Sequence, residues 1–566
     1  MLVYLRKFRS LFLNRYLLFV LALILGTELF QRFGGLPALR HAWRLEIPLL
    51  VYLYWLANRM LRPSRWQPWL AAIPAVLLYV IFDLYHMQFG RLLRITEVAQ
   101  IPELIQVLTP GVRLMGFLAV GIPLALFLRA VDGCRWKSTL AAALPLLALC
   151  LSIALYPSGI MAFFAKTQTD MVFYSDTKSA RANGRVAMML YNEAKRRNYL
   201  QETVRYQGDT PYLKKYAKLS EQIRRQRDKR NVHLVVLESF LDPSLLGAAR
   251  FSKDPAHPAF SELLGGKGSL SISPVFGGGT AQAEFEVLCG VPAMRELSGI
   301  EFDVFTGSPT PCLPYLLAEG GYQTLASNAY KPDFFNSTNA YAGMGFNGIF
   351  YPREFAPGWD SYFGTGEVGD EIYMFDGDLL DSNLAFIAET IRASKGRPLF
   401  NYIIGMYGHL PHILDDAKRP RVLQVDGAPQ LGQLERAVNQ YYYRTEAIAR
   451  FVQGLQRIDP ESLVILVSDH LPSLDQGPAT YRSLNYLAGV EGDIHLNRVY
   501  FIENGKVTRR RTINHYDVPK IVLDYVTRGE YCREGGGDCD FTPEESPEEK
   551  TVYREEYMTI MARAML

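Results

Sequence analysis

Thr280 follows three consecutive glycines, Gly277, Gly278 and Gly279, and opens a stretch of helical character, TAQAEFEVLCG. Glycines permit positive φ and close backbone approach, while a helix N-terminus offers unpaired N–H groups and partial positive charge to an anion. A threonine hydroxyl placed there is a weak nucleophile until something lowers its pKa, and metal coordination does so. Ligands for a metal stand elsewhere in the chain: Glu238 ends the apolar run of NVHLVVLESF, and Asp469-His470 ends that of ESLVILVSDHLP. Two carboxylates and one imidazole suit Mn²⁺, Mg²⁺ or Zn²⁺, leaving Thr280 and a phosphate oxygen to complete the shell. His409, in GMYGHLPH, is a candidate for moving a proton, and His412 for a supporting, structural or substrate-binding role. Singly, a strand-end acid, an Asp-His pair and a Gly-rich turn are common structural features. Their joint occurrence in this order gives them weight.

Such residues need a scaffold that gathers them. The β-branched-rich runs at 231–240 and 461–472 read as buried parallel strands with acids at their carboxyl ends, and YQTLAS and LFNYII are further short apolar runs. They alternate with helical segments such as 432–457, which predicts an α/β domain with a mostly parallel sheet. Ligands bind such sheets outside the carboxyl ends of the strands. Glu238, His409, Asp469 and His470 all fall at that edge.

The first 165 or so residues differ in kind. Five apolar stretches, 13–30, 46–61, 68–86, 114–131 and 138–164, approach or reach the length that crosses a bilayer, with Glu46 and Pro48 leaving the ends of the second open. LLFVLALILGTELF lacks a clean small-residue cleavage site and more spans follow, so the first stretch reads as a retained helix. Arg6, Lys7, Arg9 and Arg15, then Arg59, Arg62 and Arg65, then Arg129, Arg135 and Lys137 mark the cytoplasmic loops, against a weaker set (Arg32, Arg40, Arg44, Arg91, Arg94, Arg113) opposite. An odd number of spans starting inside delivers the α/β domain outside, at the periplasmic or extracellular face. The outer loop 87–113 reads as an interfacial helix or a simple connection.

Residues 165–230 mix charge with helical periodicity as a linker, and residues 531–566 form a C-terminal extension. The 60 Lys and Arg nearly balance the 57 Asp and Glu, for a net charge of +3, so nothing points to nucleic acid. Cys134, Cys150, Cys289 and Cys312 read as small apolar packing residues; Cys532 and Cys539, flanking a Gly-rich loop, are placed to pair or to remain free.

NVHLVVLESF, GGGTAQAEFEVLCG, GMYGHLPH and VILVSDHLP together resemble the lipoteichoic-acid-synthase-type phosphoglycerol transferases of the sulfatase and alkaline phosphatase superfamily. The resemblance implies a multi-span α-helical membrane domain (1–164) and a sulfatase-like α/β extracytoplasmic catalytic domain (231–530) with a mostly parallel central sheet. It further implies Thr280 as nucleophile, Glu238, Thr280, Asp469 and His470 as ligands of one divalent ion, most naturally Mn²⁺, and His409 as the group that binds or protonates substrate. The donor would be a membrane phospholipid, phosphatidylglycerol, and the acceptor a hydroxyl of a glycan or glycolipid. Where the polymer-making synthases carry a His and a Trp-Asn-Arg that grip glycerol phosphate, this chain has SNAYKPDFFNST, with Asn328, Phe335, Asn336 and Ser337 in the nearest places. Asp376, Tyr330 and Lys331 are further candidates near the donor. A phosphoethanolamine transferase, a hydrolase and a non-catalytic lipid- or glycan-binding sensor are the competing readings.

Overall fold

The computed structural model describes residues 14–566 other than 103–104, 106–109, 169–175, 295–296, 298, 367, 370, 427–431, 491–492, 535–538, 540 and 542–544. Two compact units divide the chain, Met1–Gln201 and Glu202–Leu566.

In the first unit, helices occupy all five apolar stretches: α1 (Arg15–Arg32), α2 (Glu46–Met60), α3 (Gln67–Phe89), α4 (Arg113–Ala130) and α5 (Trp136–Leu155). Among the described residues, three helices, α3, α4 and Gly133–Leu155, are long and apolar enough to cross a membrane. The stretch expected at 138–164 is divided, because α6 (Pro157–Thr167) begins at a proline that has no N–H to continue α5 and restricts the residue before it. Arg6, Lys7 and Arg9, and part of the loop 87–113, lie outside the described residues; the described part of that loop includes a 3-10 turn, Ile95–Gln100.

One buried polar cluster organises this unit. The Glu46 carboxylate accepts hydrogen bonds from the backbone N–H groups of Arg185, Val186 and Ala187 at 3.0, 3.0 and 2.8 Å, and from the Tyr79 hydroxyl. Those N–H groups begin α7 (Arg185–Thr203), so a side chain 139 residues away supplies its N-terminal cap. The Arg185 guanidinium pairs with Asp83 at 2.6 Å, and Asp83 also takes the Leu36 N–H at 2.9 Å. Buried charges persist when matched in this way.

The second unit is built on a nine-stranded sheet. In chain order its main elements are α8 (Pro211–Arg225), β1 (Val232–Leu237), β2 (Ser269–Ile272), α9 (Thr280–Cys289), α10 (Leu313–Glu319), β3 (Gln323–Asn328), α11 (Ser337–Gly343), β4 (Gly348–Phe350) and α12 (Asp376–Ala393). They continue with β5 (Leu399–Ile404), α13 (Gly432–Ile458), β6 (Leu463–Ser468), β7 (Leu496–Glu503), β8 (Lys506–Thr508), β9 (Ile513–Asn514), α14 (Val518–Val526) and α15 (Pro547–Ala564). The strand order is β9-β2-β7-β6-β1-β5-β3-β4, with β8 paired to β7. β7 runs antiparallel to β6, β2 and β8, and the other pairs are parallel.

VHLVVL, LFNYII and LVILVS, the three central strands, are buried at every residue, as continuous apolar strands covered on both faces must be. The unit also takes in segments expected as linker and extension. On α8, the Tyr212 hydroxyl donates to Pro311 O at 2.9 Å; on α15, Ala564 O accepts from Thr306 N at 2.9 Å.

Two disulfides close loops here. Cys289 and Cys312, expected as plain core cysteines, are buried and bonded to each other, tying the end of α9 to the start of α10 across 23 residues. Closing a loop of that size stabilises the fold by about 3 kcal/mol. Cys532 and Cys539 are also bonded, and Cys134 and Cys150 are free and exposed.

Candidate active site

Strand register assembles the first two carboxylates. β1 and β6 are neighbouring parallel strands whose last matched pair is Leu237 with Ser468, so Glu238 and Asp469 leave the sheet side by side. The Asp469 N–H donates to Leu237 O at 3.3 Å, which holds the two exits together. His470 follows, and candidate ligand atoms of Glu238, Asp469 and His470 lie within 4.8 Å of one another. All three residues are buried.

Thr280 reaches this cluster from the other side. Gly277, Gly278 and Gly279 all have positive φ (71°, 146° and 93°), a path that L side chains rarely follow, and the turn they form delivers Thr280 to the first position of α9. Its hydroxyl donates to Glu238 Oε2 at 2.9 Å. Gly408, on the loop after β5, is required for a different reason: a Cβ there would lie 2.0 Å from Glu238 O. That loop carries His409, whose ring meets that of Tyr373 edge-on at 5.1 Å and whose Nδ1 lies 2.9 Å from Leu410 O. In the tautomer that donates from Nδ1, Nε2 is the basic nitrogen.

The donor atoms fit a divalent cation. His470 Nδ1 lies 3.0 Å from Leu471 O, and donation there directs the Nε2 lone pair toward Asp469 Oδ2, 3.2 Å away. Asp469 Oδ1 accepts from Ser239 N and His470 N at 2.7 and 2.6 Å, whereas Oδ2 is buried without a hydrogen-bond donor among the described residues. Burial pushes both carboxyls up. For Glu238 the neighbouring His470 and His409 more than offset this and hold it below the usual carboxylate range, while Asp469, facing Glu238, is pushed well above it. Two adjacent buried acids share a proton unless a cation takes its place.

Three supporting residues were not legible as site residues in the sequence. Ser239, with φ of 48°, uses its N–H for Asp469 and its hydroxyl for Glu238 Oε1 at 2.8 Å, so one strained residue orients both carboxylates. Arg444, buried on α13, donates to Glu238 O at 2.8 Å and to Asp376 Oδ2 at 2.7 Å. Glu284 lies on α9 one turn beyond Thr280. Adjacency to Glu238 was the available signal for Ser239, and helical spacing from Thr280 for Glu284; nothing local marked Arg444.

The remaining candidates are placed as follows. Asp376 is buried in its ion pair with Arg444. Asn328 donates to the Tyr341 hydroxyl at 3.1 Å and accepts the Tyr330 N–H at 2.9 Å. Phe335 and Asn336 both have positive φ; the Phe335 ring packs 4.2 Å from that of Phe334, and the Asn336 amide donates to Phe302 O and Phe305 O. Ser337 donates to Pro332 O, and Lys331 lies over the Tyr330 ring at 5.0 Å. His412 is buried with Nδ1 3.3 Å from Gln440 Oε1, and burial holds it down at about 3, neutral at physiological pH.

A sulfatase family model matches residues 230–527. A curated relative, the putative cyclic beta-1,2-glucan modification protein of Rhizobium meliloti (strain 1021), is 27% identical over 277 residues, 47% of this chain and 39% of the relative. The chain thus matches well under half the length of that relative. Among solved structures, the Streptococcus pyogenes phosphoglycerol transferase GacH in complex with sn-glycerol-1-phosphate aligns with a TM-score of 0.47 and 20% identity, over 65% of this chain and 94% of that one. The lipoteichoic acid synthase LtaP from Listeria monocytogenes gives a TM-score of 0.43 and 18% identity, over 55% and 78%. The C-terminal periplasmic domain of EcEptC from Escherichia coli gives 0.37 and 12%, over 53% and 83%.

Proposed function

The chain belongs to the sulfatase family, and from that premise we propose that it is a membrane-bound phosphoglycerol transferase working through a covalent threonine intermediate. One observation carries the reading: the Thr280 hydroxyl, delivered by three positive-φ glycines to the head of α9, donates to Glu238 Oε2 at 2.9 Å beside the Glu238–Asp469–His470 cluster.

Glu238, Asp469 and His470 would hold one divalent ion, Mn²⁺ in this reading, together with Thr280. When bound, the ion supplies positive charge that lowers the pKa of the threonine hydroxyl and offsets the charge of the phosphoryl oxygens. The N-terminal turn of α9 favours the same anionic group. Thr280 Oγ1 attacks the phosphorus of phosphatidylglycerol; the O–P bond to threonine forms as the bond to the diacylglycerol oxygen breaks. With the ion bound, the threonine hydroxyl would ionise and its proton would leave to solvent, and His409 protonates the departing oxygen. In the second half, an acceptor hydroxyl gives its proton to His409 and attacks phosphorus, and Thr280 leaves and recovers its proton.

The acceptor is an extracytoplasmic glycan or glycolipid, and the glucan named in the relative's description favours a glucan. Apolar helices long enough to cross a membrane fit a phospholipid donor. The two disulfides fit a catalytic unit on the oxidising side of the cytoplasmic membrane.

Peptide mass spectrometry after incubation with Mn²⁺ and phosphatidylglycerol vesicles tests this. A glycerophosphate adduct on the Thr280 peptide, absent from Thr280→Ala, is the expected result. An adduct formed instead from phosphatidylethanolamine would reassign the donor, and lipid turnover that survives Thr280→Ala would end the covalent mechanism.

A further inference from the structure

Glu284 is a buried carboxyl that the transfer steps do not use, at 3% exposure in the middle of the helix that Thr280 heads. It follows Thr280 by four residues, which places both side chains on one face of α9. Two phenols converge on one of its oxygens. The Tyr402 hydroxyl, from β5, donates to Glu284 Oε2 at 2.7 Å, and the Tyr341 hydroxyl, from α11, donates to the same atom. Tyr341 in turn accepts from Asn328 Nδ2 at 3.1 Å, at the carboxyl end of β3. Both tyrosines are fully buried.

A core helix needs no carboxyl for stability; an aliphatic side chain would fill the space without the cost of burying a polar group. What two directional hydrogen bonds add is orientation. The glycine turn sets where α9 begins, and the Cys289–Cys312 disulfide ties its end. Both act at the ends of the helix, and Glu286 is held on another face by accepting from Ala293 N at 2.9 Å. Glu284, held from a strand and a helix one turn beyond Thr280, restrains the face that carries Oγ1.

We propose that Glu284 is a positioning residue of the transfer reaction: gripped by Tyr402 and Tyr341, it restrains that face of α9, aims Thr280, and links that aim to the Asn328 segment at the end of β3. The inference rests on Thr280 being the nucleophile. Burial pushes the Glu284 carboxyl up to about 7 against the opposing pull of the two phenols, so a neutral glutamine, whose amide oxygen accepts both hydroxyls, is a close mimic.

The test is the single-turnover rate of adduct formation on Thr280 in the full chain, with Mn²⁺ and phosphatidylglycerol vesicles, per folded molecule. Misaiming by about 1 Å costs roughly 100-fold, so Glu284→Ala is expected to lower the rate by about that factor, with the half-saturating lipid concentration and Mn²⁺ affinity unchanged. Glu284→Gln is expected to restore the rate to within about fivefold. If Glu284→Ala fails to fold, Tyr341→Phe and Tyr402→Phe, which each remove one oxygen, carry the test with an expected loss of about tenfold each at unchanged half-saturation. Wild-type rates in these variants, or a loss in Glu284→Ala that glutamine does not rescue, would overturn the inference while leaving Thr280 as nucleophile. Turnover by Thr280→Ala in the same assay would overturn the underlying mechanism instead.

Discussion

Two clusters of histidine and carboxylate sit at opposite ends of the same strands. At the amino end of β1, His233 Nε2 lies 2.9 Å from Asp459 Oδ2 and its Nδ1 lies 3.3 Å from the Asn401 amide. Asn231 donates to the same Asp459 oxygen at 2.9 Å, and Asn383 and Asn401 exchange hydrogen bonds at 3.2 and 2.9 Å. One acid there is matched by several donors. At the carboxyl end, Glu238 and Asp469 are two acids facing each other, one with a bare oxygen, beside a hydroxyl placed by glycines. Both clusters join a histidine to an aspartate, so those types alone do not distinguish a matched cluster from one with a surplus of acceptors. The balance of donors and charge does, because a matched set lowers its own energy and a surplus of acceptors calls for a cation.

The sharpest break between the two ends is Thr280→Ala. Transfer is expected to fall by about 10⁴-fold or more, with a melting temperature near that of the wild type, as measured by lipid turnover and calorimetry on one preparation. Next, Asp469→Asn removes one charge from the surplus. Mn²⁺ binding by titration calorimetry and turnover are both expected to be lost, the latter by about 10³-fold, and chelation of the wild type should reproduce the loss until Mn²⁺ is returned.

The third prediction concerns pH. Glu284 ionises at about 7 in the folded protein against an ordinary value of 4.5, so its contribution is whole below pH 4.5 and lost as pH rises through 7. Denaturant titrations of metal-free protein should therefore show Glu284→Gln gaining about 3 kcal/mol on the wild type between pH 4.5 and 7.5. Smallest is the control at the other end. His233→Ala is expected to cost about 2 kcal/mol of stability, through the polar groups it strands, with turnover per folded molecule unchanged. A loss of Mn²⁺ affinity in that variant would blur the contrast between the two ends.

Much of this arrangement was legible along the chain because it is local. VHLVVL and LVILVS declare buried strands, and their terminal acids meet because neighbouring parallel strands end together. The glycines before Thr280 announce a backbone path that other residues rarely take. What escaped was non-local. Cys289 and Cys312 each look like small core residues, and their bond depends on α9 and α10 meeting across 23 positions. Arg444 sits amid a long helix, and its partner Glu238 O is 206 positions away. Asp376 meets Arg444 from 68 positions away, a pairing that no local pattern announces. Pro157 was in plain view, yet the apolar character on both sides of it masked the helix break.

The Glu46 cap also bears on where the protein can be cut. A soluble version beginning at Arg185 would expose three N–H groups of α7 that now rest on a carboxylate of another helix, and would leave Arg185 without Asp83. One beginning at Glu202 severs none of these contacts within the retained part and keeps the 2.9 Å pair between Glu202 and Arg554. The second boundary is the one to choose for biophysical work on the catalytic unit alone.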